Sequence, residues 1–123
     1  MNGIGRDIFK AVHEGKWLSI EYRNKSDSVT RYWIGIKEIN TQYKSLSVLG
    51  LHLGEHKLKD LYVYIDNIVS SSVVEGTYQP INEKLVEDIA VNPSKYDFLF
   101  RHMANLKILN YLSDCNKLRS EEH

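Results

Sequence analysis

The chain has 123 residues, 42% apolar and 26% charged, with 16 lysines and arginines against 16 aspartates and glutamates. That length can bury a core without staples; one cysteine forbids an internal disulfide, and no apolar run nears the roughly 18 residues of a membrane span. The charge balance argues against a dedicated, high-affinity binder of nucleic-acid backbone, while leaving room for a local basic patch.

The lone thiol, Cys115, suits a reducing compartment. The N-terminus carries charges through its apolar part and lacks a secretory core. A cytoplasmic location is expected.

Ile4, Ile8, Ala11 and Val12 fall at helical spacing, so residues 4–13 form a short amphipathic helix. Gly15 follows where a left-handed terminus would stop it. Alternation comes next. Leu18, Ile20 and Tyr22 face one way; Trp17, Ser19, Glu21 and Arg23 face the other. A polar turn over residues 24–28 leads to a second strand, about residues 29–39. Its core side is Tyr32, Ile34 and Ile36, with Arg31, Trp33 and Gly35 opposite.

A third strand, residues 45–53, has Leu46 and Val48 on one parity but Leu49, Leu51 and Leu53 on the other. A bulge at Gly50 would return the later leucines to the core. The fourth strand puts Leu61, Val63 and Ile65 inward and Tyr62 and Tyr64 outward. Residues 68–75 make a fifth, more polar strand. Five short strands joined by tight turns predict a small antiparallel barrel or strongly curled sheet.

Beyond Pro80 the pattern turns helical. Leu85, Val86 and Ile89 share a face, with Asn82 as N-cap. Pro93 breaks that helix. Ser94 and Asp97 have capping-box spacing before Tyr96, Leu99, Phe100, Met103 and Leu106, continued through Leu109, Leu112 and Cys115. The polar end, residues 116–123, is expected to fray. The fold class predicted is α+β: an N-terminal helix, a five-stranded antiparallel barrel, and C-terminal helices packed on it. The helix plus barrel occupies residues 1–79 and the helical appendage residues 80–123, together one compact unit.

No catalytic motif is present. His13, His52, His56, His102 and His123 are scattered over separate elements, where a zinc site needs converging ligands, so no metal or other cofactor is predicted. Cys115 has apolar helical neighbours and reads as a packing residue. No phosphate-cradling glycine loop, nucleophile elbow or paired carboxylates occur. The residues that carry chemistry are Trp17, Arg23, Arg31 and Trp33, which share one hairpin face. Aromatic rings beside guanidinium groups can stack on bases and pair with phosphate. Tyr62 and Tyr64 could extend that surface. The competing reading has the C-terminal helices covering this face, with both tryptophans as anchors of a second core and Arg31 paired to Glu21 across the strands.

In order, these segments resemble the WYL domain, an SH3-like barrel of bacterial regulators, over about residues 8–78. "IFKAVHEGKWLSIEYRN" is similar to that family's opening helix and first strand, "TRYWIGI" to its second strand, and "YVYIDNI" to its Phe-x-Leu-Asp-Arg-Ile segment. The Trp-Tyr-Leu tripeptide itself is replaced by "KSLSV", Gly35 stands in a proline's place, and Asn67 in an arginine's. The resemblance implies a pocket for nucleic acid or another effector, and carries over Arg31 and Tyr22. The whole chain also resembles the N-terminal region of large bacterial proteins with a helicase-type engine, which would make it an accessory domain of a larger protein.

The expected function is therefore a non-catalytic regulatory or targeting domain. It binds single-stranded nucleic acid or a neighbouring domain through Trp17, Tyr22, Arg23, Arg31 and Trp33. The alternative is a purely structural interaction module, a homodimer included, without nucleic-acid binding. A small enzyme with an unrecognised site is the third reading.

Overall fold

The computed structural model describes residues 3–99. The expected helical positions Phe100, Met103, Leu106, Leu109, Leu112 and Cys115 lie outside these, as do His102 and His123. The order is α1 (Ile4–Glu14), β1 (Trp17–Arg23), β2 (Val29–Asn40), β3 (Ser45–His52), β4 (Lys57–Tyr64), a 3₁₀ turn (Ile65–Asn67), β5 (Ile68–Val74), α2 (Glu83–Val91) and a 3₁₀ segment (Pro93–Leu99). This is the expected α+β plan of helix, antiparallel strands, then helices.

Helix α1 buries Ile4, Ile8, Phe9, Ala11 and Val12. Gly15 ends it at φ 66°, a conformation that costs glycine nothing. His13, buried on the same helix, lies with Nδ1 2.9 Å from the Phe9 carbonyl oxygen, which accepts from that ring nitrogen.

The five strands form one antiparallel sheet in the order β4-β3-β2-β1-β5. The outermost strands, β4 and β5, are consecutive in the chain and joined by Ile65–Asn67. In a flat sheet they would stand about 19 Å apart, four strand spacings. A three-residue 3₁₀ link rising about 2 Å per residue spans far less. The sheet must therefore curl until its two edges approach at this end. A hydrogen bond holds the approach: the Tyr64 amide of β4 donates to the Tyr22 hydroxyl of β1, 3.1 Å. The Ile65 amide, donating to the Lys44 carbonyl at 3.0 Å, extends the β3–β4 ladder up to the link.

The core lies on the side facing α1. Leu18, Ile20, Ile34, Leu46, Val48, Val63 and Ile68 are buried there against α1 and the residues after β5. Burying such a side chain stabilises the fold by about 2 kcal/mol each. Ser71 of β5 donates to the Asp7 carboxylate of α1, 2.7 Å, fixing the helix over the sheet. Leu85, Val86 and Ile89 of α2 join the same core, and Asn82 caps that helix by accepting from the Leu85 amide, 3.1 Å.

Two local readings of the sequence are corrected. The ladder is regular through Gly50, so no bulge turns the later leucines inward. Gly50 lies on the core face with Leu46 and Val48, where a Cβ would come within 2.5 Å of Leu61 Cδ1. Leu49 and Leu51 stay half-buried on the outer face. The bulge falls in β2 instead. Ile36 pairs with Val48 and Glu38 with Ser47, which leaves Lys37 as the extra residue. It lets Ile36 and Ile39, three apart, both pack against the core. Second, residues 93–99 do not open as an α-helix. The Lys95 amide donates to the Asn92 carbonyl at 3.1 Å, a spacing of three residues, and Tyr96 and Leu99 share the buried side as a three-residue turn requires.

Candidate functional site

The outer face of the sheet, opposite α1, carries two depressions. Both arise from cross-strand rows in which serines sit beside large side chains.

The first lies across β5, β1 and β2. Glu21 pairs with Ser70 on one side and Arg31 on the other; Ser19 pairs with Ser72 and Trp33. The small serines leave a trough of about 380 Å³, walled by Arg31 and Trp33 and ending at Leu53. Arg31 is exposed and Trp33 half-buried. The backbone here is firm, since the Leu53 amide donates to the Arg31 carbonyl, 3.1 Å. Glu21 stands across from Arg31 in register, but its carboxylate accepts from the Ser70 hydroxyl, 3.1 Å. Among the described residues the two make no ion pair. Arg31 thus keeps its guanidinium available to an anion.

The five candidate residues are not gathered at one place. Arg31 and Trp33 meet at this trough. Arg23 shares their face but reaches into the β1–β2 turn, its Nε 3.5 Å from the Asp27 carboxylate. That turn is built by Asn24, whose side-chain oxygen accepts from the amides of Ser26 and Ser28, both 3.1 Å. Trp17 lies at the other end of β1, opposite Val74, and its amide donates to the Thr77 hydroxyl, 3.1 Å. Tyr22 belongs to the core side and holds β4 through its hydroxyl.

What crosses the outer face is the connection from β5 to α2. The Gln79 amide donates to the Gly15 carbonyl, 2.7 Å, and its side chain lies over Gly35, where a Cβ would be 2.4 Å from its Oε1. Asn82 donates to the Lys37 carbonyl, 2.7 Å. This strap covers the Trp17–Gly35 end and leaves the Arg31–Trp33 end open. Beside Trp33, Leu51 and Leu58 continue the row across β3 and β4, and Leu58 is 59% exposed.

The second depression, about 410 Å³, lies across β2, β3 and β4 beyond the Lys37 bulge. Glu38, Ser47 and Tyr62 form one row; Asn40, Ser45 and Tyr64 form the next. Tyr43, from the β2–β3 turn, closes one end. Its amide donates to the Asn40 side chain, 2.9 Å. Sequence reasoning places Tyr62 and Tyr64 outward but does not show that they join Tyr43 and Glu38. The missing signal is the Lys37 bulge, which turns Glu38 to their side. Between the two depressions, Lys37 and Asp60 form an ion pair that bridges β2 and β4.

The remaining chemistry-bearing residues have structural work. His52 Nδ1 accepts from the Glu55 amide, 2.9 Å, and its ring meets Tyr32 edge-on at 5.3 Å. Burial pushes the Tyr32 hydroxyl above its ordinary pKa. Asp88 of α2 accepts from Lys95, 2.8 Å, from Asn92, 2.9 Å, and from the Tyr96 hydroxyl. These bonds, Lys95 first, hold its carboxyl at about 2, below the usual range, while burial and Asp88 raise Tyr96. Among the described residues no helix is long and apolar enough to cross a membrane.

No protein-family model matches the chain, and no curated protein matches it. Among solved structures, it is similar to the proteasome accessory factor B/C of Arthrobacter aurescens, at 13% identity and a TM-score of 0.49. That likeness covers 65% of this chain and spans 13% of the length of the other.

Proposed function

We propose that this chain is a non-catalytic regulatory or targeting domain with a WYL-like, SH3-like barrel, and that its outer-face trough binds single-stranded nucleic acid. The observation that carries the reading is Arg31 beside Trp33 at the edge of a serine-floored depression. An exposed guanidinium pairs with a phosphate while the indole offers a face to a base. The Ser72 hydroxyl adds a hydrogen bond without bulk, and the Ser70 oxygen, its hydrogen given to Glu21, can accept one from a base. Arg23 would lengthen the basic track once an anion competes with Asp27. In a larger helicase-like protein, such a domain would guide the strand to or from the engine.

The test is binding of a labelled single-stranded oligonucleotide at two salt concentrations. Affinity should fall as salt rises, because each phosphate contact releases counterions. Arg31→Ala and Trp33→Ala should each weaken binding about tenfold, and Arg31→Ala should also flatten the salt slope. Variants that bind as the parent does would sink the reading.

A second reading, a docking surface for a neighbouring domain or a second copy, is favoured by the row Trp33, Leu51, Leu58 beside the same trough. Light scattering behind size exclusion tests it. A dimer that Leu58→Asp dissociates would support it.

A further inference from the structure

The tyrosine-lined depression calls for a different ligand from the trough beside it. Glu38 supplies the single formal charge among the residues that line it. Lys37, next to Glu38 on β2, is engaged by Asp60. Glu38 and the tyrosines stand on β2 and β4, about 10 Å apart, two strand spacings. The strand between them offers only the small side chains of Ser45 and Ser47. A slot results, with a carboxylate along one wall and phenol rings along the other. Tyr62 is 77% exposed, Tyr43 66% and Tyr64 52%. Three exposed rings gathered around one slot form the kind of contiguous patch that marks an interaction site.

A phosphate-bearing ligand is repelled here by Glu38. A flat cation meets every feature at once. A guanidinium can donate two parallel hydrogen bonds from its nitrogens to a carboxylate, stack on a tyrosine face, and donate its remaining hydrogens to serine or asparagine oxygens. We propose that the slot between Glu38 and Tyr62–Tyr64 binds an arginine side chain of a partner protein. The Asn40 cap on the Tyr43 amide fixes the turn that places the third ring, so the site is formed before the ligand arrives. The assignment does not need the nucleic-acid reading, and its failure would leave that reading intact.

The test is a titration of the ¹⁵N-labelled chain with N-acetylarginine amide, followed by the amide shifts of Ser45, Ser47, Tyr62 and Tyr64. N-acetylcitrulline amide, the neutral isostere, separates charge from shape. N-acetyllysine amide, acetylated only at its backbone amine, offers a cation without the planar fork, and tetramethylammonium a cation without hydrogen-bond donors. Arginine amide should give saturable shifts confined to these residues, in the millimolar range, with citrulline about tenfold weaker. Glu38→Gln and Tyr62→Ala should each weaken arginine about tenfold with an otherwise unchanged spectrum, since both side chains are exposed. Equal binding of citrulline would overturn the cation assignment. Equal binding of the lysine amide would overturn guanidinium recognition, and tighter binding of tetramethylammonium would reassign the slot to free small cations. Shifts scattered over the sheet, or none that saturate, would remove the site.

Discussion

The two depressions on the outer face share a serine lining and differ in charge: Arg31 and Glu21 both line the first, while Glu38 is the one charged residue lining the second among the described residues. In the first, serines of β1 and β5 lie beside Glu21 of β1 and Arg31 and Trp33 of β2; in the second, Ser45 and Ser47 of β3 lie between Glu38 and Asn40 of β2 and Tyr62 and Tyr64 of β4. Around Arg31 the guanidinium is accompanied by the Glu21 carboxylate, which is held by Ser70, and one indole stands beside it. Around Tyr62 the charge is negative and three phenols surround it. A single sheet thus presents two different chemistries a few residues apart. What separates them is one extra residue, Lys37, which resets the parity of β2 so that Glu38 follows Trp33 and Gly35 to the outside.

Because both sites share β2, the core beneath that strand is their common weak point. Ile34 is fully buried, between Leu18 of β1 and Gly50 of β3. Ile34→Ala should cost about 3 kcal/mol in urea unfolding, and should weaken oligonucleotide and arginine binding together. Loss of one activity alone would mean the two sites rest on separable units. The converse experiment fills each trough from its floor. Ser19→Leu should reduce oligonucleotide binding about tenfold and spare arginine, while Ser47→Leu should do the reverse. Both serines are part-exposed, so unfolding should change little.

How far the sequence foretells this comparison varies with the signal. The helix, the five strands, the Gly15 terminus and the Asn82 cap follow from period and capping chemistry, which are local. Arg31 and Trp33 are legible as neighbours because strict alternation places i and i+2 on one face. The Tyr43–Glu38 grouping is not, since it depends on where a bulge falls. The apolar pattern breaks parity twice, between Val48 and Leu49 of β3 and between Ile36 and Ile39 of β2. A glycine near the first break draws the expected bulge to Gly50, yet that glycine serves close packing under Leu61 instead. The strap over Gly35 is equally hidden, because Gln79 reaches it from 44 positions away in the chain, 79 less 35.

A region that lines neither depression supplies a control. Asp88 ties α2 to the 3₁₀ segment through Lys95, Asn92 and Tyr96. Its carboxyl titrates at about 2 in the fold against 3.8 ordinarily. The folded state therefore favours the ionised form. That contribution is fully present above about pH 4 and is lost as pH falls through the folded value near 2. Asp88→Asn should lower stability by about 1 kcal/mol at neutral pH, the carboxylate being part-exposed, with the deficit shrinking between about pH 4 and pH 2. Neither binding activity should move. A deficit that stays constant through this window would show that the charge is not what stabilises the junction.

The smallest effect is expected where the two depressions meet. Lys37 does two things there. Its carbonyl accepts from the Asn82 side chain, 2.7 Å, which any residue at this position preserves. Its amine pairs with Asp60, with both side chains at least half exposed. Such a pair is worth about 0.5 kcal/mol or less. Lys37→Ala should therefore leave unfolding almost unchanged, keep the bulge, and alter either affinity by no more than about twofold. The direction is informative even so. Removing the amine exposes Asp60 and makes the middle of the face more negative, so oligonucleotide binding should weaken slightly and arginine binding strengthen slightly. Movement of both affinities in the same direction would point to a change in the sheet itself, and to Lys37 acting through the backbone geometry of the bulge.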